Sequence, residues 1–256
     1  MEIGKKRILL KSVDSTNTYA LQLAEKGYPH GTVVVADSQT KGRGRYGRIW
    51  YSPEGDNIYM SIILKPPVAK GRKGSGMLSL LTIMSAVAVS EAIEKETSIP
   101  VKVKWPNDIM VSDGRGFKKV GGILSEARFL GTYLEFAIVG IGINVGPFEN
   151  IPPEIMDSAT TISVAAGRDI DRNDLLEGIL RSFDDWYGFL LRGHRKEILN
   201  RWKELSLTLG QEVMAIAGER IIRGVAIDID DYGRLELRLS SGEIKRIDSS
   251  DIVHLR

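Results

Sequence analysis

The stretch VGGILSEARFLGTYLEFAIVGIGINV, residues 120–145, decides the fold. Residues 120–128 and 133–145 read as two long strands joined by a turn at Leu130-Gly131. Upstream, residues 101–104 and 109–111 are strand-like on either side of the break Trp105-Pro106-Asn107-Asp108, and Asp113-Gly114-Arg115-Gly116 is a hairpin-type turn. Residues 57–65 alternate as a strand does, and residues 32–36 and 7–13 add two more. Helical patterns lie apart from these strands. Ser15 or Thr16 caps a helix whose apolar face is Tyr19, Ala20, Leu23 and Ala24, ending at Gly27. Residues 77–93 form a buried helix after a cationic surface loop at 66–76, and two more helices follow at 171–193 and 194–205. Strands clustered and helices apart predict an α+β fold: a mixed, mainly antiparallel sheet with helices on one face.

From Gly210 the pattern changes to period two, with Val225, Ile227 and Ile229, then Leu235, Leu237 and Leu239, alternating with other residues. Turns at Ala217-Gly218, Asp231-Tyr232-Gly233 and Ser241-Gly242 divide it into short strands, which predicts a small C-terminal β-barrel of the SH3-like type. The expected domains are 1–208 and 209–256.

Composition narrows the function classes. With 35 basic and 33 acidic side chains the net charge is +2, too near neutral for a dedicated nucleic-acid binder. Cysteine is absent, which excludes disulfides and thiolate chemistry and agrees with a reducing, cytoplasmic location. Charges between Met1 and Lys6 occupy the place where a signal peptide needs apolar residues. The apolar run 77–93 is interrupted by Ser79, Thr82, Ser85, Ser90 and Glu91, short of the ~20 apolar residues of a membrane span. No membrane role is expected.

The most unusual run is Lys41-Gly42-Arg43-Gly44-Arg45-Tyr46-Gly47-Arg48, where glycines let backbone amides approach a ligand and four cations can pair with phosphate. It satisfies the dinucleotide fingerprint literally, but the residues after it look extended where that fingerprint needs a helix. Taken alone, it could equally be a solvated basic loop. Three further places combine chemistry with backbone openness. Lys104-Trp105-Pro106-Asn107-Asp108 delivers an amide, a carboxylate and an indole to one turn; Lys119 leads into Gly121-Gly122; and Gly140-Ile141-Gly142-Ile143-Asn144 repeats the device. Each has a bland reading as turn, surface lysine or packed strand, yet four in one segment reinforce one another.

Asp14-Ser15-Thr16-Asn17, Gln39 with the Gly-Arg run after it, the Lys104–Asp108 turn, Lys119–Glu126 and Gly140–Asn144 occur in the order and approximate spacing of the biotin protein ligases. From about residue 7 onward the chain resembles that family, whose fold is class II synthetase-like. The resemblance implies ATP with Mg2+ and biotin as substrates, biotinyl-5'-AMP as intermediate, and transfer to a lysine of a biotin carboxyl carrier protein. By the same resemblance Ser15, Thr16, Gln39, Gly42, Arg43, Gly122 and Gly142 form the biotin pocket, and Lys119 sits between carboxylate and α-phosphate. Arg45, Arg48, Trp50, Lys104, Asn107 and Asn144 are assigned to the nucleotide or its metal. Asp108 is the candidate to orient the incoming amine or accept its proton, although a carboxylate there could equally serve Mg2+ or the turn.

The loop 42–48 is expected to be mobile without ligand and to close over the adenylate. The three histidines, His30, His194 and His254, lack ligand spacing, so no protein-held metal is expected. The first strand starts too early for the helix-turn-helix domain of repressor members, and a homodimer is plausible from related ligases. Two rival functions remain in view: a lipoate or octanoate ligase on the same fold, and an RNA-binding module using Arg43, Arg45, Tyr46 and Arg48.

Overall fold

The computed structural model describes residues 2–66, 76–112, 114, 116–147, 155, 157–217, 219–248 and 250–255. Residues 67–75 of the expected cationic loop, Asp113 and Arg115 of the expected turn, and Gly218 lie outside the described residues.

Strands β1 (Arg7–Val13), β2 (Val33–Gln39), β3 (Ile58–Leu64), β4 (Val101–Lys104), β5 (Asp108–Ser112), β6 (Phe117–Leu130) and β7 (Tyr133–Ile143) form one sheet, ordered β1-β2-β3-β7-β6-β5-β4. Only β1 and β2 run parallel; the other neighbours are antiparallel, as the strand spacing predicts. The helices are α1 (Thr16–Glu25), α2 (Met77–Thr97), α3 (Ile162–Ala166), α4 (Arg172–Leu191) and α5 (Arg195–Leu205).

Alternation along the strands divides the sheet's two faces. Val33, Val35, Ile62, Val139 and Ile141 point into the main core with α2, while Val34, Ile63, Phe136 and Ile138 meet Ala20, Leu23 and Ala24 of α1 on the opposite face. The expectation of helices on one face therefore holds for the long helices but not for α1. Because α1 is only ten residues long, it leaves part of its face uncovered. A cleft opens there.

By length and composition α2 could cross a membrane, but 67% of its apolar window is buried within the protein. It is the central core helix. Glu91 on α2 accepts from Trp186 Nε1 and Arg201 Nε, both at 2.8 Å, which ties α4 and α5 to it. Asp171 caps α4 by accepting from the backbone N–H groups of Asn173 and Asp174 at 2.7 and 2.9 Å, an interaction of about 1 kcal/mol.

The C-terminal strands β8 (Glu212–Ala217), β9 (Arg220–Ile229), β10 (Leu235–Arg238), β11 (Ile244–Ile247) and β12 (Asp251–His254) form an antiparallel sheet ordered β11-β10-β9-β8-β12. It is not the closed barrel expected from the turn spacing, since no pairing joins the edge strands β11 and β12 among the described residues. Both edge strands are only four residues long. Val213, Ala215, Ala226, Leu235 and Leu237 share one buried cluster with α2.

Candidate active site

Strand register builds the floor of the cleft. Cross-strand partners share a face, and the pairs Ser61–Gly140, Gly122–Gly142 and Asp108–Gly122 follow one another across β3, β7, β6 and β5. The glycines are needed because other groups lie flat on this floor. A Cβ on Gly140 would stand 2.1 Å from Asn17 Oδ1, and one on Gly142 2.6 Å from the indole nitrogen of Trp50. The open cleft, about 1170 Å3, exceeds the roughly 300–1,000 Å3 of a typical single-ligand pocket and leaves room for two substrates.

Lys119 reaches this face through an irregularity. Residues three apart on a strand normally face opposite ways, so Lys119 and Gly122 should be separated by the sheet. The register of β5 against β6 shifts between Ile109 and Met110, pairing Ile109 with Gly121 but Met110 with Lys119. That bulge puts Lys119 and Gly122 on the same side. The ammonium then lies 2.5 Å from Asp108 Oδ1 and 5.3 Å from the Trp50 ring centroid. Lys118 pairs with Val111 instead.

The glycine–arginine run forms a hydrogen-bonded hairpin rather than a helix. Trp50 N–H donates to Gly42 C=O at 2.9 Å and Gly44 N–H to Arg48 C=O at 2.8 Å. The tip is a short turn, Arg45–Gly47, in which Tyr46 takes φ 55° and Gly47 φ 73°. Gly42 serves the hairpin base and does not line the cleft: a Cβ there would lie 2.3 Å from the Trp50 carbonyl. Arg43 sends its guanidinium to Glu126 at 2.6 Å and Thr18 at 3.4 Å. The Trp50 indole does not wait outside the cleft; it covers Gly122 and Gly142, with its Nε1 buried and unpartnered.

Ser15, Thr16 and Asn17, at the start of α1, are buried against the floor. Gln39 Oε1 accepts from Thr16 N–H at 2.8 Å and lies 3.1 Å from Thr16 Oγ1. The opposite end is cationic. Arg45 Nη1 donates to Asn107 Oδ1 and to the Ser250 carbonyl, each at 3.4 Å. Burial pushes the pKa of Arg45 below its ordinary value, with nearby Tyr46 and Asp108 opposing. Burial likewise lowers that of Lys104, an effect that Asp108 opposes and Lys119 reinforces. Asn107 donates to the Ile123 carbonyl at 2.8 Å, so both ends of its amide are held. Asn144 donates to the Thr160 carbonyl at 3.3 Å, and its own amide oxygen remains as an oxygen donor beside the cleft. Among the described residues no three His, Asp or Glu side chains gather as a metal site.

Thus the expected site residues Ser15, Thr16, Gln39, Arg43, Arg45, Arg48, Trp50, Lys104, Asn107, Asp108, Lys119, Gly122, Gly142 and Asn144 all line one cleft, and Gly42 stands just behind it. Sequence reasoning gave no role to Ser61, Ser52, Asn17 or Glu126, which form a hydrogen-bonded polar layer at the head-group end of the cleft, with Asn17 lining it. Ser61 had a signal: it is the one small polar side chain in Ile58–Leu64. Ile252 and Val253, which bring β12 to the cleft wall, had none.

Comparison with known proteins agrees with this geometry. Residues 9–144 match the biotin/lipoate A/B protein ligase family, and residues 208–255 match the biotin protein ligase C-terminal domain. The bifunctional ligase/repressor BirA of Bacillus subtilis is 38% identical over 251 residues, covering 98% of this chain and 74% of that protein. The biotin--[acetyl-CoA-carboxylase] ligase of Paracoccus denitrificans is 30% identical over 238 residues, covering 91% and 95%. Among solved structures, biotin protein ligase from Aquifex aeolicus in complex with biotin and ATP is similar at 37% identity and a TM-score of 0.81, covering 98% of this chain and 99% of that one.

Proposed function

The chain belongs to the biotin/lipoate A/B protein ligase family and is a biotin protein ligase, and from that premise we propose how the residues of its cleft divide the reaction. The C-terminal match is to biotin protein ligases, which favours biotin over a lipoate or octanoate substrate.

Ser15, Thr16 and Gln39 hold the polar head group of biotin, whose burial demands such partners. Its carboxylate points toward Lys119. In the first step a carboxylate oxygen attacks the α-phosphorus of MgATP and pyrophosphate leaves, giving the mixed anhydride biotinyl-5'-AMP. The Lys119 ammonium offsets negative charge gathering on both reactants, a contribution that a fixed cation in a half-buried site makes strongly. Arg45, Arg48 and Lys104 bind the phosphates. Mg2+ arrives on ATP, and the Asn144 amide oxygen is the hard donor that suits it. In the second step the neutral ε-amine of the acceptor lysine attacks the anhydride carbonyl, AMP leaves with its oxygen, and one proton is lost from nitrogen. Asp108, drawn to Lys119 while biotin is absent, is freed to orient that amine or take its proton once biotin's carboxylate replaces it beside the ammonium. The acceptor is a biotin carboxyl carrier domain, and a homodimer belongs to the same reading.

The observation that carries this assignment is the Lys119–Asp108 pair, 2.5 Å apart at the edge of the Gly122–Gly142 floor. Incubating the protein with biotin and MgATP tests it: a biotinyl-adenylate mass is expected, and purified carrier domain should then be labelled on one lysine. Pyrophosphate release dependent on lipoate but not biotin would reverse the choice of substrate.

A further inference from the structure

The head-group end of the cleft rests on polar side chains whose protons can be counted. The Glu126 carboxylate and the Leu124 carbonyl accept only, and they take both protons of the Asn17 amide nitrogen, at 2.8 and 3.1 Å. Asn17 Oδ1 therefore faces Ser61, whose single proton goes to it at 2.6 Å. On the other side Gln39 Oε1 receives Thr16 N–H, the Gln39 nitrogen donates to Ser52 Oγ at 2.9 Å, and Ser52 gives its proton to the Trp50 carbonyl at 2.9 Å.

Of the hydroxyl protons in the connected run, one is left to place, that of Thr16. It has two oxygens in reach, Ser61 Oγ at 2.8 Å and Gln39 Oε1 at 3.1 Å. Ser61 is fully buried and has spent its own proton, so the shorter contact runs from Thr16 to Ser61. Thr16 Oγ1 and Gln39 Oε1 then face each other as two lone-pair oxygens 3.1 Å apart with no hydroxyl proton between them. A ligand N–H that bridges them supplies what the pair lacks.

We propose that Ser61, itself oriented by Asn17, fixes the Thr16 hydroxyl as an acceptor toward the cleft, so that the site selects a ligand carrying a donor N–H, such as a ureido group. Ser61 does not line the cleft and acts through Thr16. It is a positioning residue for substrate choice. The inference rests on the placement of the biotin head group against Thr16 and Gln39 proposed above. A ring of similar size without an N–H would leave the oxygen pair unrelieved, and sites built around a required hydrogen bond discriminate strongly against such analogues.

Calorimetric titration of biotin into wild type, Ser61→Ala, Thr16→Val and the double variant provides the test. Each single change should weaken binding roughly tenfold, the loss of one ordinary hydrogen bond, and the double variant should bind no more weakly than Thr16→Val alone. For Ser61→Ala in steady state the KM for biotin should rise by the same factor, with kcat and the KM for ATP unchanged. Desthiobiotin, which keeps the ureido group without the sulfur, should lose the same factor. If melting shows Ser61→Ala unfolded, Ser61→Cys retains a weak acceptor and should bind biotin with intermediate affinity. Additive losses in the double variant, or full biotin affinity in the folded Ser61 variant, overturn the proposal. Full affinity in Thr16→Val overturns the head-group placement and the inference with it.

Discussion

At the residue scale, Lys119 carries the largest expectation. Replacing it by Ala should lower biotin-dependent pyrophosphate release by about 10^2–10^3-fold, the usual cost of losing one preorganised charge-stabilising group, with little change in melting temperature. A loss below tenfold would move the charge-stabilising role elsewhere. The sequence showed this lysine but not why it, rather than Lys118, faces the cleft. The reason is the bulge opposite Ile109 and Met110, which leaves no mark in composition or period. Trp50 was legible as an aromatic near the nucleotide, whereas its resting place on Gly122 and Gly142 follows from packing alone. Because biotin must displace that indole, Trp50→Ala should bind biotin several-fold more tightly without ATP, while its KM for ATP rises. Titrations of biotin and of ATP separate the two effects; a variant that binds biotin no better than wild type would show that the indole does not obstruct.

At the element scale, β7 leaves no space for added atoms at Gly140 and Gly142 on the cleft face. Gly140→Ala would force its methyl to within 2.1 Å of Asn17 Oδ1, and a loss of about 1–3 kcal/mol in stability is expected, read from urea unfolding, together with weakened biotin binding. The hairpin 42–50 makes a second case. Arg45 ties its tip to Asn107 and to the Ser250 carbonyl, so Arg45→Gly should release adenylate into solution and label bystander proteins. Adenylate retained as long as by the parent would remove its role as a lid. Strand and long-helix identities were readable because alternation and 3.6-residue periodicity persist over many residues. The five-residue α3, capped by Thr161, offered too short a run to detect, and neither the face taken by α1 nor the opening of the C-terminal sheet is encoded in any local pattern.

For the whole molecule, the contacts between the main and C-terminal sheets matter most. Trp105, within the Lys104–Asp108 turn, donates its indole N–H to the Gly233 carbonyl at 3.0 Å, and its backbone N–H to Thr208 at 3.0 Å. The turn holding Gly233 is organised by Asp230, which accepts from the Tyr232 and Arg234 backbone and from the Arg234 side chain. Burial opposes ionisation of Asp230, but those hydrogen bonds outweigh it and keep its pKa below the ordinary value. A carboxylate depressed on folding stabilises above its unfolded pKa, near 3.9, and that contribution fades as pH falls through the lower folded value. Asp230→Asn should therefore cost about 1–2 kcal/mol at pH 7, and the gap to wild type should close in strong acid. An equal gap at all pH values would rule out the charge. A C-terminal unit of short strands was legible in the sequence; its grip on the Lys104–Asp108 turn was not, because Trp105 and Gly233 are remote in the chain. One buried cluster runs from α2 into that C-terminal sheet. The cleft's floor and its β12 wall consequently belong to a single cooperative unit, so heating should give one calorimetric transition in which ligase activity, near-ultraviolet ellipticity and the C-terminal strands vanish together, with no half-melted form able to charge biotin and then lose it.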